Sequence, residues 1–347
     1  MLDFIIGKPI VVQTDRKLVG VSEEISEILY YASLAPNSHN TQMWKVVVHP
    51  SSERITIHLD EERTLDKVDS SNREAFISIG AYTQNLLLAF EAYGYDVNLK
   101  INYSSSDELV VIIYKKLCEG ELKHGNIDSI VLRHSDKRAF AMTKIDEDII
   151  KSIVKKTSGL HYFAYGSEDF EYIKTVTLGA NIVQAVTQER RDELACWLRF
   201  SNDEAVSKKD GLPAEQLGIT GIKKTLYYLS TNHKNAGGDR FAEQGINTVK
   251  KQLDNCAGFF VLTGIDQRSK LIETGMALER FWLQATELGI SVQGMSQALE
   301  ESPFKEEIQE CLNFEVTVQM ILRVGYTKYY GKSARIRRDL KEYVLVE

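Results

Sequence analysis

From position 133 the chain reads Arg133-His134-Ser135-Asp136-Lys137-Arg138-Ala139-Phe140, four basic side chains and a hydroxyl within eight residues of a protein whose formal charge is -7. These residue types together recognise an anion. Arginine's planar fork matches a phosphate through two bonds, serine and histidine add directional donors, and lysine adds a movable point charge. The competing reading is a mixed-charge loop that caps the amphipathic helix pattern after it. A second polar loop lies about a hundred residues upstream, Ala35-Pro36-Asn37-Ser38-His39-Asn40-Thr41-Gln42-Met43-Trp44, followed by Val46-Val47-Val48. Asn40 and Gln42 each carry an amide that both donates and accepts, which suits the alternating edge of a heterocycle. An ordinary helix-to-strand connection would have the same outline.

The elements that position these loops follow from the pattern. Ser22 is a plausible N-cap for a helix over 22–35, with Glu23 and Glu24 in its first turn and Pro36 ending it. Residues 44–48 and 54–60 read as strands, the second alternating Ile55, Ile57 and Leu59. From 74 to 93 apolar residues cover nearly every face, which predicts a helix buried on all sides. Strands follow at 97–101 and 109–114, then a polar linker over 115–128 with Gly120 and Gly125.

With both loops in view, the chain resembles the FMN-dependent nitroreductase family. The octet is similar to that family's Arg-(His/Arg)-Ser-x-(Lys/Arg) opening, and the upstream loop to its Pro-Ser-Ser-x-Asn-Ser-Gln-Pro-Trp segment. Met43 departs from the family's proline, and Asn37 and His39 from its serine-rich loop. In the family's homodimers the two motifs that meet at one flavin come from different subunits. Here the proline loop precedes the arginine motif, which implies two tandem copies in one polypeptide, as in the Acg-type branch.

Internal repetition agrees with that order. Gly80, Leu88, Gly94 and Val97 recur as Gly275, Leu283, Gly289 and Val292 at a constant offset of 195 residues. An earlier pair, starting at Glu24 and Asp148, is offset by 124, so about 71 residues are inserted in the second copy. The second copy has no proline loop near 159–166, and residues 1–20 have no arginine motif, which leaves one composite site. The expected fold is α+β, nitroreductase-like, two tandem copies each with a mixed β-sheet flanked by helices around a buried central helix pair. The halves are placed at 1–125 and 126–347, with an inserted lid at about 162–247.

The resemblance also implies the ligands. FMN is the expected cofactor, held by Arg133, His134, Ser135 and Lys137 with Pro36, Asn37, Ser38, Asn40 and Gln42. Gln293, Gly294 and Met295 stand where the family offers a backbone N–H to the flavin, and Arg335 or Arg337 could return a cation to its phosphate. Lys332 and Ser333 belong to the same basic tail. The insert carries Lys209-Asp210-Gly211-Leu212-Pro213 and Leu217-Gly218, similar to the lid element of the Acg-type branch. NAD(P)H is the expected co-substrate and a nitroaromatic or quinone the acceptor. No protein acid or nucleophile is named.

Composition narrows the partners. A pI near 5.7 argues against nucleic acid and anionic membranes, which reward a basic surface. Cys118, Cys196, Cys256 and Cys311 form no C-x-x-C pair, which fits a reducing cytoplasmic setting with no structural metal. The apolar run at 2–6 contains Asp3 and lacks the charged start of a signal peptide, and no apolar stretch approaches membrane-spanning length. A monomer that mimics a dimer is the expected state, acting on a small molecule.

Overall fold

The computed structural model describes residues 10–103, 107–117, 127–331 and 334–347. The 2–6 run, Cys118, Gly120, Gly125, Lys332 and Ser333 lie outside them. The first half runs α1 (Glu23–Ser33), β1 (Trp44–His49), β2 (Arg54–Leu59), α2 (Arg73–Ala92), β3 (Tyr95–Ile101) and β4 (Val110–Lys116). The second runs α3 (Asp128–Leu132), α4 (Glu147–Lys156), β5 (Leu160–Ala164), α5 (Glu168–Val186), α6 (Gln188–Trp197), α7 (Asn202–Lys208), α8 (Ile222–Ser230), α9 (Asp239–Leu253), β6 (Gly258–Thr263), α10 (Arg268–Glu287), β7 (Ser291–Gly294), α11 (Gln297–Glu300), α12 (Phe304–Cys311) and β8 (Val318–Gly325). The chain closes with β9 (Val344–Val346). No described helix is long and apolar enough to cross a membrane.

Two sheets result, ordered β3-β4-β2-β1-β9 and β7-β8-β6-β5. The first four strands of each list correspond in chain order, so the halves repeat one plan. The fold is α+β, with antiparallel pairings except where β9 joins β1 in parallel. By that pairing the C-terminal tail of the second half completes the first half's sheet. The first sheet packs on α1 and α2 through Trp44, Val46, Ile55, Ile57, Ile79 and Tyr82. The second packs on α10 through Phe260, Leu322, Phe281 and Trp282.

The central pair α2 and α10 begins and ends at positions 195 apart, the offset of the repeated glycines. A Cβ on Gly80 would lie 2.0 Å from the Ile272 carbonyl oxygen, and one on Gly275 would lie 1.9 Å from that of Ile77. Gly80 matches Gly275 and Ile77 matches Ile272 at the same offset, so the helices cross about a local two-fold axis at a point where glycine is required on both. Gly94 and Gly289 take positive φ just beyond the two helices, the conformation that ends a helix and frees the next strand.

At the start of the chain, Ser22 caps α1 as the pattern predicts, its hydroxyl accepting from the Ile25 amide at 3.2 Å. The two halves differ in their connections. Nine residues beyond Leu34 carry the first half from α1 to β1, whereas residues 157–159 suffice between α4 and β5. The long excursion lies between β5 and β6, over 165–257, because residues 162–164 pair within β5.

Candidate functional site

A cavity of about 550 Å³ opens where the halves and the excursion meet. That size lies within the ~300–1,000 Å³ common for small-molecule sites. The first half contributes Pro36, Asn37, Ser38, His39 and Asn40; the second contributes Arg133, His134, Ser135, Lys137, Gln293, Gly294 and Arg337. Residues of α5, α6, α8 and α9 and the turn at Glu215–Leu217 form the remaining wall. Eleven of the fourteen residues expected from the sequence line this cavity, and Gln42, Met295 and Arg335 do not.

The upstream loop is held in a costly shape. His39, Asn40 and Gln42 all adopt φ between 50° and 55°, a left-handed conformation that side chains seldom take. Hydrogen bonds fix it. Asn40 donates to the Gly211 and Ile336 carbonyls and accepts from the Arg337 guanidinium at 2.9 Å. Gln42 donates to the Lys209 carbonyl and accepts from the Arg338 amide, both at 2.9 Å. The amides expected to read a heterocycle are thus occupied by protein partners, and they bind the loop to the excursion and the tail. Beside Asn40, the loop lines the cavity with Pro36, Asn37, Ser38 and His39. Burial, and behind it the charge of Lys137, brings the His39 pKa down to about 4. Its imidazole is neutral at physiological pH.

The octet divides its charges in a similar way. Arg138 and Asp136 satisfy one another at 2.6 and 2.8 Å, and Asp136 also accepts from Ser291. Arg133 donates to the Leu34 carbonyl at 2.6 Å and its Nε stands 3.2 Å from the buried Glu279 carboxylate. Arg337 donates to the Ser33, Leu34 and Ala35 carbonyls. Both guanidiniums therefore neutralise the negative end of α1. Lys137 is different. Its amine has no hydrogen bond or ion pair among the described residues, it lines the cavity, and burial lowers its pKa below the ordinary lysine range. The Ser135 hydroxyl is likewise free among the described residues and lines the same wall. His134 keeps its Nδ1 on the Leu132 carbonyl and stacks edge-on against Tyr330.

The remaining expected residues have structural positions. Gln293 is clamped by Arg323 and by Gln252, while the Met295 amide donates to Ile321 and its side chain fills the core. Arg335 pairs with the N-terminal arm at Val11, away from the cavity. Arg323, fully buried in β8, lies in the Leu322-Arg323-Val324-Gly325-Tyr326 segment that resembles the family's Arg-Val-Gly strand and turn, but it was not among the expected site residues. It donates to the Asp136 and Arg138 carbonyls and so rivets the octet to β8. Its signal in the sequence is a cation inside an otherwise apolar strand. Trp282 was also missed. It is buried, lines the cavity, and its indole N–H has no protein partner.

The excursion is fastened over this site. Asp210 pairs with Arg63 of the first half and with Arg199 beside it, and Lys209 reaches Asp339 of the tail at 2.6 Å. Gly211, at φ 71°, sits where a Cβ would meet the Trp197 carbonyl oxygen at 2.4 Å. The Gly218 turn packs on the Lys137 backbone.

No family model matches the chain. Across 324 residues it is 22% identical to a Mycobacterium tuberculosis protein that carries the provisional name NAD(P)H nitroreductase Acg, a match that spans 88% of this chain and 89% of that one. Over nearly its whole length the chain is thus similar to a protein named as a nitroreductase. Among solved structures, a nitroreductase-like protein of Anabaena variabilis covers 93% of this chain and 94% of its own at 11% identity and a TM-score of 0.47. The FMN-dependent nitroreductase NfnB of Mycobacterium smegmatis, solved with NADPH, covers 62% of this chain and 94% of its own at 17% identity and a TM-score of 0.40. In this chain the two loop motifs lie on opposite halves of one polypeptide and line one cavity.

Proposed function

We propose that the chain binds one FMN in this composite cavity and acts as a nitroreductase-like oxidoreductase, carrying electrons from NAD(P)H to a nitroaromatic or quinone acceptor. The observation that carries the reading is the shared wall, in which first-half and second-half motifs meet around unpaired donors. The wall suits the ligand. Lys137, Ser135 and the Trp282 indole offer three donors without protein partners, a match for a group rich in acceptor oxygens. His39 Nδ1, Asn181 Oδ1, Tyr227 OH and Gln297 Oε1 are further buried polar atoms on the wall without partners, as expected of a site built for a polar heterocycle. Apolar contact comes from Leu278, Ile77 and Met320.

When bound, FMN would supply the hydride chemistry. The chain's own residues bind, orient and shield. Lys137 would stabilise negative charge on the cofactor, Arg133, Arg337, Asn40 and Gln42 keep the loop and octet at fixed spacing, and the excursion limits water. On this reading the protein works as a monomer in the cytoplasm, with the second half standing where a partner subunit would.

A second reading, an FMN-holding protein with little turnover, draws on the fastening of the excursion by Asp210 and Lys209. Stopped-flow mixing of the FMN-loaded protein with NADH or NADPH separates the two. Rapid bleaching of the flavin followed by electron transfer to a quinone supports the oxidoreductase. Reduction slower than flavin release supports the holding protein.

A further inference from the structure

Besides Glu215, which is paired with Lys224, the cavity wall holds two carboxyl groups, Glu74 from the first turn of α2 and Glu300 from the end of α11. They lie within hydrogen-bonding reach of one another. Two ionised carboxylates cannot share such a contact in a buried wall, so one proton must lie between them. The surroundings say which group carries it. Glu74 receives Arg73 at 2.8 Å, the Ser38 hydroxyl at 2.5 Å and Ser296, donors that favour its ionised form. Glu300 receives Gln184 of the excursion at 2.6 Å and otherwise faces the Glu74 charge. The directions of their titration agree, Glu300 held up by burial and by Glu74, Glu74 drawn down by Arg73 and Ser38 against its burial.

We infer that Glu300 is a proton donor to the molecule reduced in this cavity, with Glu74 as the partner that holds the proton in place. The inference rests on the oxidoreductase reading above and names the acceptor's subsite. Reducing a quinone consumes one hydride and one proton. The hydride equivalent would come from FMN reduced by NAD(P)H and end as an O–H bond on one quinone oxygen, leaving negative charge on the other. The Glu300 O–H bond breaks as an O–H bond forms on the acceptor oxygen, and hydroquinone leaves. The negative charge left on the pair is balanced by Arg73, and solvent returns the proton. The other ionisable groups facing the pair are Asp69, whose carboxylate accepts from the Glu74 and Ala75 amides, and His39 on the loop.

Infrared difference spectroscopy at neutral pH tests the pair without reference to turnover. The protein should show the carbonyl stretch of a protonated carboxylic acid, present with or without FMN and lost in Glu300→Gln. Its absence from the parent protein would overturn the inference. Stopped-flow kinetics then test delivery. In Glu300→Gln, reoxidation by a quinone should slow on the order of 100-fold relative to flavin reduction by NAD(P)H in the same variant, the usual share of a general acid. Glu300→Asp should recover part of the loss. Reoxidation within about twofold of the parent would reject Glu300 as donor even with the infrared band present. A protein that takes up no FMN removes the proposed function and the delivery step together, while the band still reports on the pair.

Discussion

Glu279 lies on α10 with no exposed surface, facing Arg133 at 3.2 Å. Burial pushes its pKa up to about 7 from an ordinary value of 4.5, against the opposing pull of Arg133. A carboxyl that holds its proton more tightly when folded contributes stability in full below its unfolded pKa. That contribution is lost as pH rises through the folded one. The chain should therefore lose stability between about pH 5 and 7 from this group, and Glu279→Gln should flatten that part of the curve of urea midpoint against pH. An unaltered slope would show that Glu279 is ionised throughout. Arg133→Ala strands Glu279 and frees the end of α1, so its first effect is on folding, about 3 kcal/mol. Lys137→Met breaks no described contact of the amine. It should leave stability nearly unchanged while weakening FMN by about tenfold or more. Titration of FMN and riboflavin into both variants checks the assignment, and equal FMN affinity in Lys137→Met and the parent would remove Lys137 from the site.

At the scale of elements, the crossing of α2 and α10 sets how the halves meet. Gly275→Ala places a methyl group against the Ile77 carbonyl, backbone that cannot rotate away, so the helices must separate. The expected cost is about 3 kcal/mol or more, read as a lowered denaturation midpoint. A loss under about 0.5 kcal/mol would mean that the pair is loosely packed. This crossing was legible in the sequence because the glycines repeat at one offset and the helices are apolar on every face. The caps and most strands were legible for similar local reasons, Ser22 before two glutamates and Ile55 alternating with Ile57. The pairing of β9 with β1 was not, since Val344–Val346 is three residues long and its partner lies about 300 positions earlier. No local pattern encodes such a contact. The first edge of the excursion lay three residues later than expected, because Tyr162 and Phe163 read equally well as strand or insert until β6 is seen beside them, and its second edge ten residues later, at 257 rather than 247.

For the whole molecule, residue types and chain order located the site, while the division of labour within it depended on contacts that sequence does not display. Arg133 and Arg337 look alike as phosphate ligands on paper, yet both turn to the carbonyls of α1. Lys137, two residues past an exposed serine, is the octet cation whose amine has no described partner. Asn40 and Gln42 have the chemistry to read a heterocycle, and their amides instead fix a strained loop to the excursion and tail. Glu74 and Glu300 are 226 positions apart and share no motif, so their meeting required the fold. The central claim concerns the two motifs, each present once and on opposite halves, that enclose a single flavin site in one chain. Quantifying the flavin released from monomeric protein after saturation with FMN tests it most directly. The account predicts a ratio near one FMN per chain in a species with the mass of a single polypeptide. A ratio near two, or uptake that occurs solely in a dimer, would contradict it.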